Sequence, residues 1–398
     1  MQIKLYPGKL SGNLPAISSK SQAHRILICA ALSNKSSKIY CPDTNEDIDA
    51  TASCLTALGA TIERSGSNFY VSPIRSLPSE ATLDCRESGS TLRFMLPLVG
   101  ALGVNATFIL RGRLHKRPLS PLWEEMERMG CKLSRPTEDT VRCTGMLRAG
   151  NYTIDGGVSS QFITGLLFAM AILPGKSSLN ITGALQSKPY IDITKNVLLM
   201  FGVNADSNEI VGAFPLNGPD ELSVEGDWSN AAFFLVANAL GSNIKLTNLN
   251  YDSFQGDRRV VELITAMKTK QTIDVSDIPD LMPILNILAA AKCGAVFTNI
   301  QRLRLKESDR VCSVREMLCN MGIRTEETVD TLTVYPGKFR SCCINSYNDH
   351  RIAMSAAIAA TAAVGPIEVL DAQCVNKSYP AFWADFAKLG GNYEQLEG

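Results

Sequence analysis

The chain has 398 residues, 45% apolar and 20% charged, and its 39 acidic and 39 basic side chains leave no formal net charge. That is the balance of an ordinary globular protein long enough for two cored domains, and it lacks the basic excess of a nucleic-acid binder. The most apolar stretches, 162–173 and 352–364, are too short to span a membrane, and the opening Met1-Gln2-Ile3-Lys4-Leu5 alternates like a strand, unlike a signal peptide. A cytoplasmic protein with no membrane partner is expected.

From the first strand onward, two helix types alternate. One opens on a polar turn and then becomes rich in Ala, Leu and Ile. The other is amphipathic and usually stops before a glycine. In chain order the reading gives an apolar helix at 19–32, an amphipathic one at 48–58 before Gly59, and a strand at 68–71. An apolar helix at 88–102 and a basic loop at 111–118 follow, then an amphipathic helix at 119–129 before Gly130 and a strand at 141–144. Next come an apolar helix at 159–173, a proline turn at 187–190, an amphipathic helix at 191–201 before Gly202, and a strand at 222–224. The second half repeats the order: apolar 227–240, amphipathic 258–267 without its glycine, apolar 280–291, and amphipathic 311–321 before Gly322. A strand at 331–334, an apolar helix at 348–364 and an amphipathic helix at 382–389 before Gly390 close the chain.

Marked by Lys20, Gly89, Ser159, Trp228, Asp280 and His350, the apolar helices recur mostly at steps of about 70 residues, with one step nearer about 50. The expected fold class is α/β (α+β), with two similar domains, each of three βαβαββ repeats around buried parallel helices. Residues 1–17 and 226–398 are expected to form one domain and 18–225 the other. The first strand would pair into the later domain, the chain would cross a hinge twice, and the active site would lie in the cleft between the domains.

The apolar helices are buried by their composition, so their N-termini need partners. Ser19, Ser88, Ser159, Asp227, Asp280 and Asn348 are capping types. Threefold packing would aim three dipole-positive ends per domain in one direction, which favours an anionic ligand. Lys20, Arg25, Arg93 and Arg351 sit in the first two turns of such helices, where the dipole opposes a cation unless an anion is bound. Lys306-Glu307-Ser308-Asp309-Arg310 reads equally well as a cap with solvated charges. The loop bearing Arg111, Arg113, His115, Lys116 and Arg117 reads first as a hydrated surface run.

Several chemistries are disfavoured. No phosphate-binding Gly-Lys-Ser/Thr loop, dinucleotide Gly-x-Gly-x-x-Gly or Gly-x-Ser-x-Gly elbow occurs. The twelve cysteines form no Cys-x-x-Cys pair and the histidines number three, so neither disulfides nor a metal are expected, and most cysteines should be core residues.

In order along the chain stand Lys20-Ser21-x-x-x-Arg25, Ser88-Gly89-Ser90-Thr91-Leu92-Arg93, Ser159-Ser160-Gln161-Phe162 and Ser187-Lys188-Pro189-Tyr190-Ile191-Asp192. Ile278-Pro279-Asp280, Lys306-Glu307-Ser308-Asp309-Arg310, Asn348-Asp349-His350-Arg351 and Lys377-Ser378-Tyr379-Pro380 complete the set. Together these resemble the 3-phosphoshikimate 1-carboxyvinyltransferase branch of the enolpyruvyl transferase family. The resemblance implies transfer of the enolpyruvyl group of phosphoenolpyruvate to the 5-hydroxyl of shikimate 3-phosphate, without cofactor or metal, in chorismate and aromatic amino-acid biosynthesis. A monomer acting on small molecules, with no nucleic-acid partner, is implied too.

By the same resemblance, Lys20, Ser21, Arg25, Ser159, Ser160, Gln161, Ser187, Tyr190, Asp280 and Lys306 would hold shikimate 3-phosphate. Lys20, Gly89, Arg117, Gln161, Arg310, His350, Arg351 and Lys377 would surround phosphoenolpyruvate. Asp280 is the implied base, and Glu307 and Lys20 are both candidates for the acid. Ile17-Ser18 departs from the family's Pro-Gly, Glu87 from a frequent Asn, and Arg302 from another Asn. The sister reaction on UDP-N-acetylglucosamine is an alternative, although the basic loop lacks that enzyme's reactive cysteine. An RNA-end-processing or RNA-binding protein is a more distant one.

Overall fold

A computed structural model describes residues 1–206 and 209–396. It divides into two compact units, one of Met1–Ile17 with Gly226–Gly398 and one of Ser18–Glu225. Each has its own apolar core. With the three small sheets of each unit, this gives a mixed α/β architecture.

In the Ser18–Glu225 unit, the buried helices are Lys20–Ala31, Gly89–Leu102 and Ser160–Ile172. Ser19, Ser88 and Ser159 cap them by accepting from the backbone N–H groups of Gln22, Thr91 and Gln161. Amphipathic helices Glu46–Ala57, Leu122–Arg128 and Lys188–Met200 complete the repeats. Pro97 lies inside the Gly89 helix and cannot donate to the Arg93 carbonyl. That carbonyl and the proline ring pack on Gly165 of the Ser160 helix, where a Cβ would come within 2.2 Å of the Arg93 oxygen. Two helices that are otherwise apolar all round can therefore approach closely.

In the other unit the buried helices are Trp228–Ala239, Met282–Ala291 and His350–Ala360, which pack on one another. The first strand, Gln2–Leu5, pairs antiparallel with Ile367–Leu370 and Tyr393–Leu396, and Ser11–Pro15 pairs parallel with Asn243–Thr247. Beside the two crossings, Ser19 N–H donates to the Glu225 carbonyl in one unit and Asp227 N–H to the Ile17 carbonyl in the other.

Two expected caps are corrected. Asp280 precedes the Met282 helix, whose first turn has Pro283 and whose capping position, Leu281, makes no side-chain bond. Proline supplies no N–H there, so less capping is needed, and the Asp280 carboxylate is engaged elsewhere. Asp349, not Asn348, caps the last buried helix by accepting from Arg351 N–H at 3.0 Å, and that helix stops at Ala360 rather than 364. The amphipathic segment at 258–267 divides into a 3-10 turn, Gly256–Arg259, and a helix, Val260–Ala266.

Seven of the twelve cysteines are buried and all are free thiols; Cys293 is only partly covered and donates to the Lys268 carbonyl. His24 is a core residue paired with Thr51 Oγ1 at 2.7 Å. Burial pushes it down to about 3, helped by Lys20 and Arg25 and opposed by Asp47. An unfolded histidine takes up a proton near 6.5, whereas the folded one does so only near the lower value. Its contribution to stability is thus complete above 6.5 and falls as pH drops through that window, by about 1.4 kcal/mol per pH unit. Hydrogen-exchange protection factors of this unit, corrected for the intrinsic rates, should fall between pH 6.5 and 5, and His24→Gln should flatten the dependence.

Candidate active site

The first turns of the three buried helices in the Ser18–Glu225 unit converge through arginines. Arg25, 2% exposed, donates from Nε to Thr194 Oγ1 at 2.8 Å, from Nη1 to the Ser21 carbonyl at 2.5 Å, and from Nη2 to the Tyr190 carbonyl at 2.9 Å. A longer bond reaches Thr164 Oγ1, and the guanidinium lies 5.0 Å from the Phe94 ring centroid. These partners carry no negative charge, and burial pushes Arg25 down to about 9. A buried cation among hydroxyls and carbonyls favours an incoming anion.

Arg93 joins the next two helices. Its Nη1 donates to Gln161 Oε1 at 3.0 Å and its Nη2 to the Pro118 carbonyl at 3.0 Å, while Gln161 Nε2 donates to Ser90 Oγ at 3.0 Å. Gly89 lets Arg117 lie over the helix start, because a Cβ there would come within 2.4 Å of Arg117 Nη1 and 2.7 Å of Arg93 Nη1. Lys20 pairs with Asp47 at 2.9 Å. Ser187, at φ +57°, begins the Lys188 helix, and its carbonyl accepts from Tyr190 N–H. Left-handed backbone turns the chain sharply into Pro189.

The departures noted in the sequence have local partners. Ser18 donates from its N–H and hydroxyl to Asp43 Oδ2 at 3.0 and 3.3 Å. Glu87 lies against Gly112, where a Cβ would come within 2.1 Å of its Oε1. The basic loop divides in two: Arg111 forms an exposed pair with Asp84, while Arg117 belongs to the cluster at Gly89.

The other unit gathers carboxylates and cations. Arg310, 1% exposed, donates to Asp280 Oδ1 at 2.9 Å, Glu307 Oε2 at 2.6 Å and Asp349 Oδ2 at 3.0 Å. Arg351 donates to Asp280 Oδ2 at 2.9 Å and to its carbonyl at 3.2 Å. Asp349, fully buried, also accepts from Ser308 Oγ. Burial alone would raise Asp280, but Arg351, Lys306 and Arg310 outweigh it and hold the carboxyl well below the usual range. Burial would lower Arg310, yet its three carboxylates raise it. Lys306 is pushed down to about 8 by burial, against the pull of Asp280. His350 and Lys377 are buried within the same unit.

The cations at the helix starts thus meet in part a fate the sequence left out: Lys20 and Arg351 are paired with carboxylates of their own unit. Asp47 and Asp349, which pair with Lys20 and Arg310, were not among the expected site residues. Asp47 gives no motif signal beyond an acidic helix start, and Asp349 hides beside the expected Asn348 cap. Arg93 was noted as a cation but not placed in a site.

Gly89→Ala should displace Arg117 and crowd Arg93. If Arg117 contacts an anionic substrate, losing one charge-assisted bond of about 1.5–3 kcal/mol raises that substrate's KM about 10- to 100-fold. The other substrate's KM should stay within about twofold; steady-state kinetics with each substrate varied in turn checks both.

No group of three or more His, Cys, Asp or Glu suited to a metal occurs among the described residues, and no described helix is long and apolar enough to cross a membrane. The family profile described as EPSP synthase (3-phosphoshikimate 1-carboxyvinyltransferase) matches residues 6–386. A protein of Clostridium botulinum (strain Eklund 17B / Type B) named 3-phosphoshikimate 1-carboxyvinyltransferase is 38% identical, covering 98% of both chains. One of the same name from Clostridium beijerinckii is 38% identical over 99% of this chain and 98% of its own. The solved EPSP synthase of Acinetobacter baumannii is similar over the full length of both chains, at a TM-score of 0.81 and 25% identity.

Proposed function

The chain belongs to the EPSP synthase family, and from that premise we propose how its charged side chains divide the work. It is an enzyme that transfers the enolpyruvyl group of phosphoenolpyruvate to shikimate 3-phosphate, in aromatic amino-acid biosynthesis. In our reading, Lys20, Ser21, Arg25, Ser159, Ser160, Gln161, Ser187 and Tyr190 receive shikimate 3-phosphate, with Asp280 and Lys306 at its hydroxyls. Lys20, Gly89, Arg117, Gln161, Arg310, His350, Arg351 and Lys377 receive phosphoenolpyruvate.

The acceptor is a poor nucleophile until its proton leaves. Asp280 takes the proton of the 5-hydroxyl as that oxygen bonds to C2 of phosphoenolpyruvate. C2 accepts the new bond only as the C3 methylene gains a proton, which either Glu307 or Lys20 can supply. The tetrahedral adduct then returns a methyl proton to the group that supplied it while the C2–O bond to phosphate breaks, and the phosphate leaves with the proton held by Asp280, so the double bond is restored and each group regains its starting state. Cationic side chains balance the leaving phosphate.

The observation that carries this reading is the Asp280 carboxylate gripped by Arg310 and Arg351 at 2.9 Å each. An Asp so held is a weak base. Anionic phosphoenolpyruvate competes for both guanidiniums, and as they turn to it the carboxylate gains proton affinity. Base strength then appears when substrate arrives. Phosphate release from phosphoenolpyruvate should require shikimate 3-phosphate and should not occur with UDP-N-acetylglucosamine; release with the nucleotide sugar alone would overturn the assignment.

A further inference from the structure

We propose that Thr194 is a positioning residue for shikimate 3-phosphate, holding the Arg25 guanidinium in the orientation that meets an anionic group of that substrate. Three helices of the Ser18–Glu225 unit come together at this point. Arg25 belongs to Lys20–Ala31, Thr164 to Ser160–Ile172 and Thr194 to Lys188–Met200. Both threonines are fully buried, as is nearly all of Arg25.

The bonds fix where each proton points. A guanidinium can only donate, so Thr194 Oγ1 accepts from Arg25 Nε at 2.8 Å and Thr164 Oγ1 accepts from Nη2 at 3.4 Å. Thr194 Oγ1 itself donates to the Tyr190 carbonyl at 2.9 Å. A hydroxyl has a single proton, so Thr164 must be the donor in the 2.9 Å bond between the two hydroxyls. Thr194 thus engages its proton and both lone pairs. A bond to the carbonyl one turn back is an ordinary habit of threonine in a helix. The other two bonds are not local, because they join Thr194 to two different helices.

Arg25 then has little freedom left. Of the five N–H groups of a guanidinium, Nε gives one to Thr194 and Nη1 gives one to the Ser21 carbonyl. Nη2 serves Thr164 and the Tyr190 carbonyl. One N–H, on Nη1, remains for a ligand. Its direction is set by the plane of the group, and the Nε bond to Thr194 is the contact nearest the stem about which that plane turns. Without the Thr194 hydroxyl, Nε–H loses its acceptor and the guanidinium rotates to find another. The effect on substrate rests on the reading of Arg25 as a ligand of shikimate 3-phosphate.

Thr194→Val keeps the shape and deletes the hydroxyl. It should raise the KM for shikimate 3-phosphate about tenfold, with kcat and the KM for phosphoenolpyruvate within about twofold. Thr194→Ser retains the hydroxyl and should stay within about threefold of the parent. Thr164→Val should also raise that KM less than about threefold, because Thr194 still accepts from Arg25 and donates to Tyr190 when the Thr164 proton is gone. In an Arg25→Ala background the Thr194→Val change should have no further effect, since Thr194 acts through the guanidinium. If the Val variant does not fold, Thr194→Cys, whose thiol is a weak acceptor, carries the same comparison. Binding of shikimate, which has the carboxylate and lacks the phosphoryl group, identifies the anion: it weakens in Thr194→Val if Arg25 meets the carboxylate and is unchanged if Arg25 meets the phosphoryl group. An unchanged KM for shikimate 3-phosphate in Thr194→Val, or an effect that adds in full to that of Arg25→Ala, overturns the proposal. A parental KM in Arg25→Ala would instead remove Arg25 from the site, a failure of the underlying reading that this single variant reveals by itself.

Discussion

Asp280→Ala is expected to lower kcat by about 10²- to 10⁴-fold, the range of a lost general base, while shikimate 3-phosphate still binds within a fewfold of the parent. The contrast between rate and binding follows from where Asp280 stands. It precedes the Met282 helix rather than capping it, so its removal costs that helix no cap bond. What is lost is the acceptor between Arg310 and Arg351. Single-turnover kinetics with calorimetric binding separates the two quantities, and turnover within tenfold of the parent would remove Asp280 from the chemistry.

Arg310→Met should have the largest effect on folding. The parent guanidinium, 1% exposed, meets Asp280, Glu307 and the fully buried Asp349. Removing it leaves carboxylates facing one another without their cation, and breaking a buried pair from one side costs about 3–5 kcal/mol. The unit built on Gly226–Gly398 should therefore lose most of its stability at pH 7. Part should return on acidification, because protonating the stranded carboxylates relieves their repulsion. In the parent the sign is opposite. Asp280 is held below its unfolded value, so its contribution is complete above the ordinary carboxylate range and is lost only as pH falls well below it. Denaturant unfolding of both proteins at pH 7 and 4.5, followed by hydrogen exchange within this unit, checks the crossover; equal stability at pH 7 would contradict the buried-network reading.

The repeat was legible because its signals are local. Capping serines at 19, 88 and 159 precede long apolar runs, and glycines at 59, 130, 202, 322 and 390 follow amphipathic ones. Such patterns survive without knowledge of the partners. The Met282 and His350 helices escaped correct capping because the acidic residues before them are also ligands of buried arginines, and composition cannot say which duty an aspartate performs. The same limit hid Asp47 and Asp349. Each is one acidic residue among 39, and only the fold brings Lys20 or Arg310 to it. For Lys20 and Arg351 the chain meets the opposing dipole with its own carboxylates, Asp47 and Asp280. Arg25 is the instance closest to expectation, a buried cation whose hydrogen-bond partners are all neutral.

The most direct test of the assignment is the KM for phosphoenolpyruvate at saturating shikimate 3-phosphate, measured by steady-state kinetics for Lys20→Ala, Arg351→Ala and the double variant. In the proposed assignment each single change removes a charge-assisted contact of about 1.5–3 kcal/mol and should raise that KM at least about tenfold. The double variant should depart from additivity if both side chains contact the same ligand. An unchanged KM in either single variant would contradict the proposal that Lys20 and Arg351 both bind phosphoenolpyruvate.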